Sequence, residues 1–156
     1  MRERHDRLVI CRVPLMYGDA PPGAQSFIQP LIQAILQGKK LRLFFDEFRT
    51  PACGFAAAQG ILLALNHGPG ILHLGGRERI SRYDFCRRLA LALGRANAKL
   101  TPVSVKMAVT IAPRAVDVSL DSSRAFSLGY NPGMISEEFA KLQCVREAMN
   151  GPPRHP

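Results

Sequence analysis

The chain has 156 residues, of which 47% are hydrophobic and 21% are charged, and its formal net charge is +9 at pH 7. This composition excludes an intrinsically disordered chain, and the length suits a single region, residues 1–156, with a core of its own. The sequence contains no apolar run of about 18 residues, so we expect a cytoplasmic protein without a membrane span or a signal peptide.

The first predicted element is a strand at the start of the chain. Residues 8–13 form a nearly unbroken apolar run, interrupted only by Arg12. Continuous apolar runs of this length are typical of strands that are buried on both faces of a parallel α/β sheet. Such a strand needs neighbours, and the rest of the chain supplies few. We therefore expect either that its partner strands come from elsewhere or that this region is a piece of a longer enzyme with a larger α/β fold.

The remaining predicted elements alternate between helices and strands. Pro30 lies near the start of the first helix, so that helix is expected to begin later than its apolar pattern suggests. Ser81 is a helix N-cap and Gly94 a C-terminal signal. Strands are predicted at residues 41–45, 70–74 and 101–105; helices at 25–37, 54–65, 81–93, 122–128 and 135–149; loops at 46–51 and 112–121; and a disordered tail at 150–156.

Several motifs of catalysis and cofactor binding are absent from the sequence. No glycine-rich GxGxxG loop follows the first strand, and the sequence contains no GxSxG motif. The four histidines show no metal-ligand spacing, so no metal site is expected. The four cysteines form no CxxC pair, which favours reduced thiols over disulfides or a zinc site.

The net positive charge indicates an anionic partner. The cations are scattered along the sequence, whereas proteins that follow a phosphate backbone gather such charge on one face. Aromatic residues make up only 7% of the chain and tryptophan is absent, which leaves little for stacking on single-stranded bases. We therefore expect no nucleic-acid partner, and favour an anionic small molecule such as a nucleotide diphosphate.

Two groups of residues are candidates for binding that anion. Arg49 lies in the loop DEFRTP just after a predicted strand, where ligands gather in open α/β sheets. The structural alternative is a surface turn in which Asp46 and Arg49 form an ion pair worth at most about 1 kcal/mol. Arg114 and Asp117 form the second group, in which a carboxylate holds a guanidinium toward a phosphate. The structural alternative there is an arginine that only tethers its loop.

Four segments in register resemble the C-terminal half of extended short-chain dehydrogenases. They are RVPLMYG, LRLFFDEFRTP, GILHLGGRERISRYDFCRRLA and APRAVDVSLDSSRAFSLGY, and the resemblance covers residues 8–142. The sequence is most similar to the dTDP-4-dehydrorhamnose reductase group of the NAD-dependent epimerase/dehydratase superfamily. The resemblance implies an α/β fold: the C-terminal part of a Rossmann-like NAD(P)-binding fold with a small substrate-binding subdomain, without the N-terminal cofactor half.

The resemblance also implies a function. In this group a glycine-rich loop binds NADP or NAD, and a Tyr-x-x-x-Lys pair transfers the proton. None of the tyrosines Tyr17, Tyr83 and Tyr130 has a lysine four residues later. We therefore expect the substrate-binding half of a sugar-nucleotide reductase, without catalytic residues of its own, whose partners are a nucleotide-diphosphate sugar and a cofactor-binding half or another subunit.

Few site residues carry over by resemblance. Arg49 matches the position of a diphosphate-binding arginine, and Arg114 with Asp117 matches a later Arg-x-x-Asp element. Leu15 and Tyr17 match substrate-cleft positions, and Pro14 matches a cofactor-cleft position.

The sequence also departs from the group's pattern. Ala56 replaces an aspartate that usually opens the next helix, Ala115 replaces a proline, and Leu15 replaces an asparagine that is common in epimerases. The RVPLMYG version of the first strand, in place of a version that contains tryptophan, leaves an alternative open. The chain is also similar to the methionine adenosyltransferase regulatory subunit, which would make it a non-catalytic binding subunit.

Overall fold

The computed structural model describes residues 8–107 and 115–150, so the predicted tail lies outside it except for Asn150. Strands and helices alternate along most of the chain. The strands are β1 (Val9–Arg12), β2 (Met16–Tyr17), β3 (Leu41–Phe44), β4 (Phe48–Arg49), β5 (Ala52–Cys53), β6 (Gly70–His73), β7 (Ile80–Ser81) and β8 (Leu100–Val103). The helices are α1 (Ile28–Leu36), α2 (Gly54–Leu65), α3 (Arg82–Ala92), α4 (Ser123–Ser127), α5 (Ile135–Lys141) and α6 (Gln143–Asn150).

The strands pair two by two. Three pairs are parallel, β1 with β6, β2 with β5 and β3 with β8, and one is antiparallel, β4 with β7. Parallel pairs need crossover connections, and here helices such as α2 and α3 provide them. This arrangement confirms the predicted α/β class. Within the described residues, no helix is long and apolar enough to cross a membrane.

The prediction for the first strand is wrong in one respect. Val9, Ile10 and Cys11 are half-buried and Arg12 is exposed, so β1 is not buried on both faces. Helix α2 packs against β1, and β6 is its one strand partner among the described residues. The apolar run therefore fits a strand with more neighbours than these elements supply.

Two helix boundaries differ from the prediction. Helix α1 begins at Ile28, so Pro30 lies in its first turn, where the missing N–H costs nothing. The predicted helix 135–149 is two helices, because the backbone of Leu142 is extended with ψ 130°. Asp19 stabilises this break, since its two carboxylate oxygens accept from the backbone N–H groups of Gln143 and Cys144 at 2.9 and 2.8 Å.

An aromatic cluster forms the centre of the core. The rings of Tyr17, Phe85 and Phe139 meet edge to face with centroids 5.1–5.5 Å apart, and Phe27 packs on Phe85. Edge-to-face pairs of this kind contribute about 0.5–1.5 kcal/mol beyond the area that they bury. The cluster joins β2 to helices α3 and α5. The four cysteines are free, and Cys53 and Cys86 are buried.

A buried polar junction joins three distant segments around Thr50. Its carbonyl accepts from the N–H of Gly76 at 2.9 Å, and its hydroxyl accepts from the N–H of Leu120 at 3.0 Å. The Ser122 hydroxyl accepts from the N–H of Gly75 at 2.8 Å. A Cβ at position 75 would lie 2.7 Å from Thr50 Oγ1. Neighbouring atoms therefore come too close to positions 75 and 76 for any residue with a Cβ, and both positions require glycine.

Replacing Gly76 by alanine tests this junction. The new Cβ would overlap the carbonyl of Pro51, which is backbone and cannot move aside. We expect Gly76→Ala to lower the free energy of unfolding by about 3 kcal/mol, measured by urea denaturation. Gly54→Ala is the matched control, because its Cβ would make only ordinary contact at 3.7 Å with Tyr17 O. Equal effects of the two variants would contradict the role of the junction.

Candidate functional site

The candidate site lies where three segments meet at β4. The Phe48 N–H donates to Val116 O at 2.7 Å, and the Val118 N–H donates to Phe48 O at 3.3 Å. On the other side, β4 pairs with Ile80 and Ser81 of β7. The segment 46–51 was predicted as a loop, and this short strand corrects that. Both of its partners are distant in sequence, so no local pattern indicates it.

Arg49 is anchored at the end of this strand. Its Nη1 donates to Phe48 O at 2.6 Å and lies 3.5 Å from Ala115 O, while its Nη2 donates to Glu47 Oε1 at 3.2 Å. Glu47 is buried, whereas 25% of the Arg49 side chain is exposed. The guanidinium is therefore fixed in direction and still reaches solvent. A charged group held in this way is suited to binding an anion.

The predicted alternative for Arg49, an ion pair with Asp46, is wrong. Asp46 instead accepts from the Ser104 hydroxyl at 2.5 Å and from the Val105 N–H at 2.8 Å. These bonds, with the Ser104 hydroxyl the larger cause, hold the pKa of the Asp46 carboxyl below its usual value. Asp46 therefore ties the end of β3 to the segment after β8 rather than neutralising Arg49.

Asp117 is held by Arg79, an arginine that the sequence analysis did not pair with it. Its Oδ2 accepts from Nε and Nη2 of Arg79 at 2.9 and 2.8 Å, and its Oδ1 accepts from the N–H and hydroxyl of Ser119. The Arg79 guanidinium also lies 3.7 Å from the Phe48 ring centroid. Arg114 lies outside the described residues, so its pairing with Asp117 stays a prediction. Sequence reasoning missed Arg79, which is 38 residues from Asp117.

Pro14, Leu15 and Tyr17 lie on β2 or directly before it, and the Leu15 carbonyl accepts from the N–H of Ala52, three residues after Arg49, at 3.2 Å. Leu15 is 41% exposed and Pro14 is half-buried, whereas Tyr17 is buried in the aromatic cluster. Burial strongly raises the pKa of the Tyr17 hydroxyl, so this group stays neutral. Tyr17 supports the cleft through packing.

A cavity of about 580 Å³ opens beside β2 and β5. Its walls include residues 16–21, the start of α2 and the end of α5. Phe55 and Lys141 line it, and neither was singled out in the sequence. Within residues 8–107 and 115–150, no group of three His, Cys, Asp or Glu side chains is placed to hold a metal ion.

Comparison with known proteins gives one family match. The family described as RmlD substrate binding domain matches residues 1–136. No curated protein sequence matches the chain.

Solved structures give further matches. A hypothetical dTDP-4-dehydrorhamnose reductase from Sulfolobus tokodaii is 27% identical with a TM-score of 0.66, covering 79% of this chain and 42% of that one. The Bacillus anthracis dTDP-4-dehydrorhamnose reductase in complex with NADP is 17% identical with a TM-score of 0.71, covering 90% and 49%. A UDP-glucuronic acid 4-epimerase from Bacillus cereus, in complex with UDP-glucuronic acid and NAD, is 21% identical with a TM-score of 0.66, covering 89% and 45%. The chain thus spans less than half the length of these structures and shares their fold.

The pKa of Asp117 tests the geometry around this carboxylate. Hydrogen bonds from Ser119 and then Arg79 lower the pKa of Asp117 to about 2. The stability that these bonds contribute is therefore present above the unfolded pKa of about 3.9 and is lost as the pH falls toward 2. We expect Ser119→Ala to raise the pKa of Asp117, measured by NMR titration of the side-chain carboxyl.

Ser123→Ala is the matched control. Ser123 binds Asp121 with the same two hydrogen bonds, from its N–H at 3.0 Å and its hydroxyl at 2.6 Å. This variant should raise the pKa of Asp121 and leave the pKa of Asp117 in place. An unchanged pKa of Asp117 in Ser119→Ala would show that Ser119 is not its main partner.

Proposed function

Because the chain belongs to the RmlD substrate binding domain family, we propose that it is the substrate-binding half of an NAD(P)-dependent sugar-nucleotide reductase of the dTDP-4-dehydrorhamnose reductase type, acting in the cytoplasm. Its proposed ligand is the diphosphate of a nucleotide-diphosphate sugar. The observation that supports this ligand is the part-exposed guanidinium of Arg49, which is held by buried Glu47 at the end of β4.

Arg49 keeps donors free for such an anion. A guanidinium carries five N–H groups, and the contacts to Phe48, Glu47 and Ala115 use three of them. The remaining two suit a phosphate oxygen pair, because an arginine fork binds phosphate with two parallel hydrogen bonds. Since its direction is already fixed, little side-chain entropy is lost on binding.

The segment after β8 supplies the second part of the proposed site. Ala115, which lies beside Arg49, directly follows Arg114 in sequence. We assign to Arg114 a second contact with the diphosphate. Asp117 stays ionised and holds this segment through Arg79 and Ser119. In this proposal Asp117 orients the segment that carries Arg114.

The cleft residues have smaller proposed roles. Leu15 is exposed and is proposed to contact the sugar, while Pro14 borders the cofactor. Tyr17 acts indirectly, because its buried ring supports Gly18 and the wall of the cavity beside β2. None of these three is assigned a catalytic step.

The residues present do not fit a nicotinamide cofactor by themselves. The matched structures from Bacillus anthracis and Bacillus cereus contain NADP or NAD. Pyrophosphate binding needs a glycine-rich loop at a helix N-terminus, and the sequence has none after β1. We therefore assign cofactor binding to another half of the fold.

An apolar face is available for that half. Phe55, Leu62 and Leu65 on α2 are 73%, 63% and 68% exposed, and Val13 and Met16 beside β1 are 41% and 48% exposed. Exposed apolar patches of this kind mark interaction surfaces. Strand β1 pairs on one side only within the described residues. The proposed occupant is a cofactor-binding α/β half whose own strand pairs beside β1.

A non-catalytic binding subunit is the second candidate. The segment RVPLMYG contains no tryptophan, and no tyrosine is followed by a lysine four residues later. This candidate uses the same apolar face for a partner but needs no nucleotide site. Binding of a nucleotide diphosphate therefore separates the two proposals.

Calorimetric titration with dTDP and UDP tests the proposed site. We expect both to bind and NADPH not to bind. Arg49→Gln should weaken binding about 10- to 100-fold, because charged hydrogen bonds contribute about 1.5–3 kcal/mol. Arg114→Ala should weaken it similarly, and Arg49→Lys should have a smaller effect.

Arg87→Gln is the control for loss of one positive charge. This side chain is exposed and pairs with Asp84 on α3. Thermal unfolding of each variant separates lost binding from lost folding. If a folded sample binds neither dTDP nor UDP, the non-catalytic binding subunit is favoured. Tight binding of NADPH would overturn the assignment of the cofactor to another half.

The apolar face of α2 gives a separate prediction. Because Leu62 and Leu65 are exposed, Leu62→Glu with Leu65→Glu should change the free energy of unfolding by about 0.5 kcal/mol or less. The same variant should lower the fluorescence of a bound hydrophobic dye. Ile28→Glu, in the buried face of α1, is the positive control for unfolding. A loss of more than about 2 kcal/mol in the double variant would show that the chain already covers this face.

A further inference from the structure

Five cations that are scattered in sequence form one basic patch at the start of β3 and β8. The patch consists of Lys39, Lys40, Arg42, Arg95 and Lys99, all of them exposed. The parallel pairing of β3 with β8 brings the two groups together, since the N–H of Leu41 donates to the carbonyl of Lys99 at 3.0 Å.

Helices α1 and α3 end in the same way, just before the loops that lead into β3 and β8 and carry cations of the basic patch. Gly38 after α1 and Gly94 after α3 both adopt left-handed backbone, with φ 65° and 66°. Glycine at this position ends a helix and turns the chain into the following strand. A further turn, from the Ala98 N–H to Arg95 O at 3.0 Å, sets Arg95 close to Lys99.

The positive charge of the basic patch is not balanced locally. Residues 34–45 and 93–103 contain no aspartate or glutamate. Within the described residues, none of the five cations forms an ion pair. Lys39 and Arg95 follow helix C-termini, where a cation is favourable. Lys40, Arg42 and Lys99 lie on or beside the strands, and this effect does not explain them.

The surroundings of the basic patch decide which partner suits it. Residues 36–43 and 93–103 contain no exposed large apolar side chain, and the exposed apolar residues that flank these ranges, Phe45 and Leu91, lie past the far end of β3 and within α3. Protein interfaces have an apolar centre, single-stranded nucleic acid needs stacking rings, and stable membrane binding adds an apolar anchor. A duplex phosphate backbone needs only cations. We propose that the basic patch binds the phosphate backbone of duplex nucleic acid without reading its sequence.

This inference reverses the expectation drawn from the scattered sequence positions. The expectation rested on cations that are scattered along the sequence. In the folded chain, five of these cations lie together in the basic patch. The proposal uses no residue of the diphosphate site, so either can fail without the other.

Salt-dependent binding to a labelled duplex of about 20 base pairs tests the proposal. Each phosphate contact contributes about 0.9 to the slope of log K against log salt. The triple variant Lys40→Gln, Arg42→Gln, Lys99→Gln should therefore reduce that slope by about 2.7, and affinity at about 100 mM salt should fall at least ten-fold. Fluorescence anisotropy provides both quantities.

The matched control removes the same charge elsewhere. Arg82→Gln, Arg87→Gln and Arg146→Gln change three exposed cations outside the basic patch. This variant should keep most of the affinity and the slope. Equal weakening by the two triple variants would overturn the proposal, because net charge alone would then explain binding. Stronger binding to phosphatidylserine vesicles than to the duplex, lost in the first variant, would overturn it in favour of a lipid surface.

Discussion

The buried junction at Thr50 is the constraint on which the candidate site depends. Thr50 directly follows Arg49, and its hydroxyl accepts from Leu120, three residues after Asp117. One residue therefore fixes two of the three segments of the site relative to each other. The third segment is fixed through the Thr50 carbonyl, which accepts from Gly76 just before Arg79. Because these groups are buried, leaving one unpaired would cost about 1–3 kcal/mol, which keeps the three segments in a single arrangement.

Within this arrangement, the ion pairs orient the side chains of the site and add little to the free energy of unfolding. The Arg79–Asp117 pair is 49% and 40% exposed, and pairs of this kind contribute about 0–1 kcal/mol. Its effect is local, because Arg79 also stacks on Phe48 and so holds the segment of Asp117 against β4. Glu47 does the same for Arg49 from a buried position. A site assembled in this way is oriented before its ligand arrives, which lowers the entropy cost of binding.

What the sequence predicted well had local causes. Helix α2 spans the predicted residues, and Ser81 caps α3 by accepting from the Asp84 N–H at 3.0 Å. Two of the errors involve distant partners. The strand at Phe48–Arg49 exists because β7 and the segment 116–118 pair with it, and the break at Leu142 is stabilised by Asp19, more than 120 residues away. Arg49 was predicted as a site residue. The sequence around it does not indicate that Glu47 holds Arg49 or that Arg79 binds Asp117.

The two ends of the β3–β8 pair carry different kinds of positive charge. The candidate site follows the carboxyl end of β3, whereas the basic patch lies at its start. Four residues of strand separate the two ends by about 13 Å. The Debye length at physiological ionic strength is about 8 Å, so the basic patch adds little to the binding energy of a diphosphate at the site. Attraction of an anionic substrate to the site therefore does not explain why these cations are gathered. A partner that contacts the basic patch directly explains it.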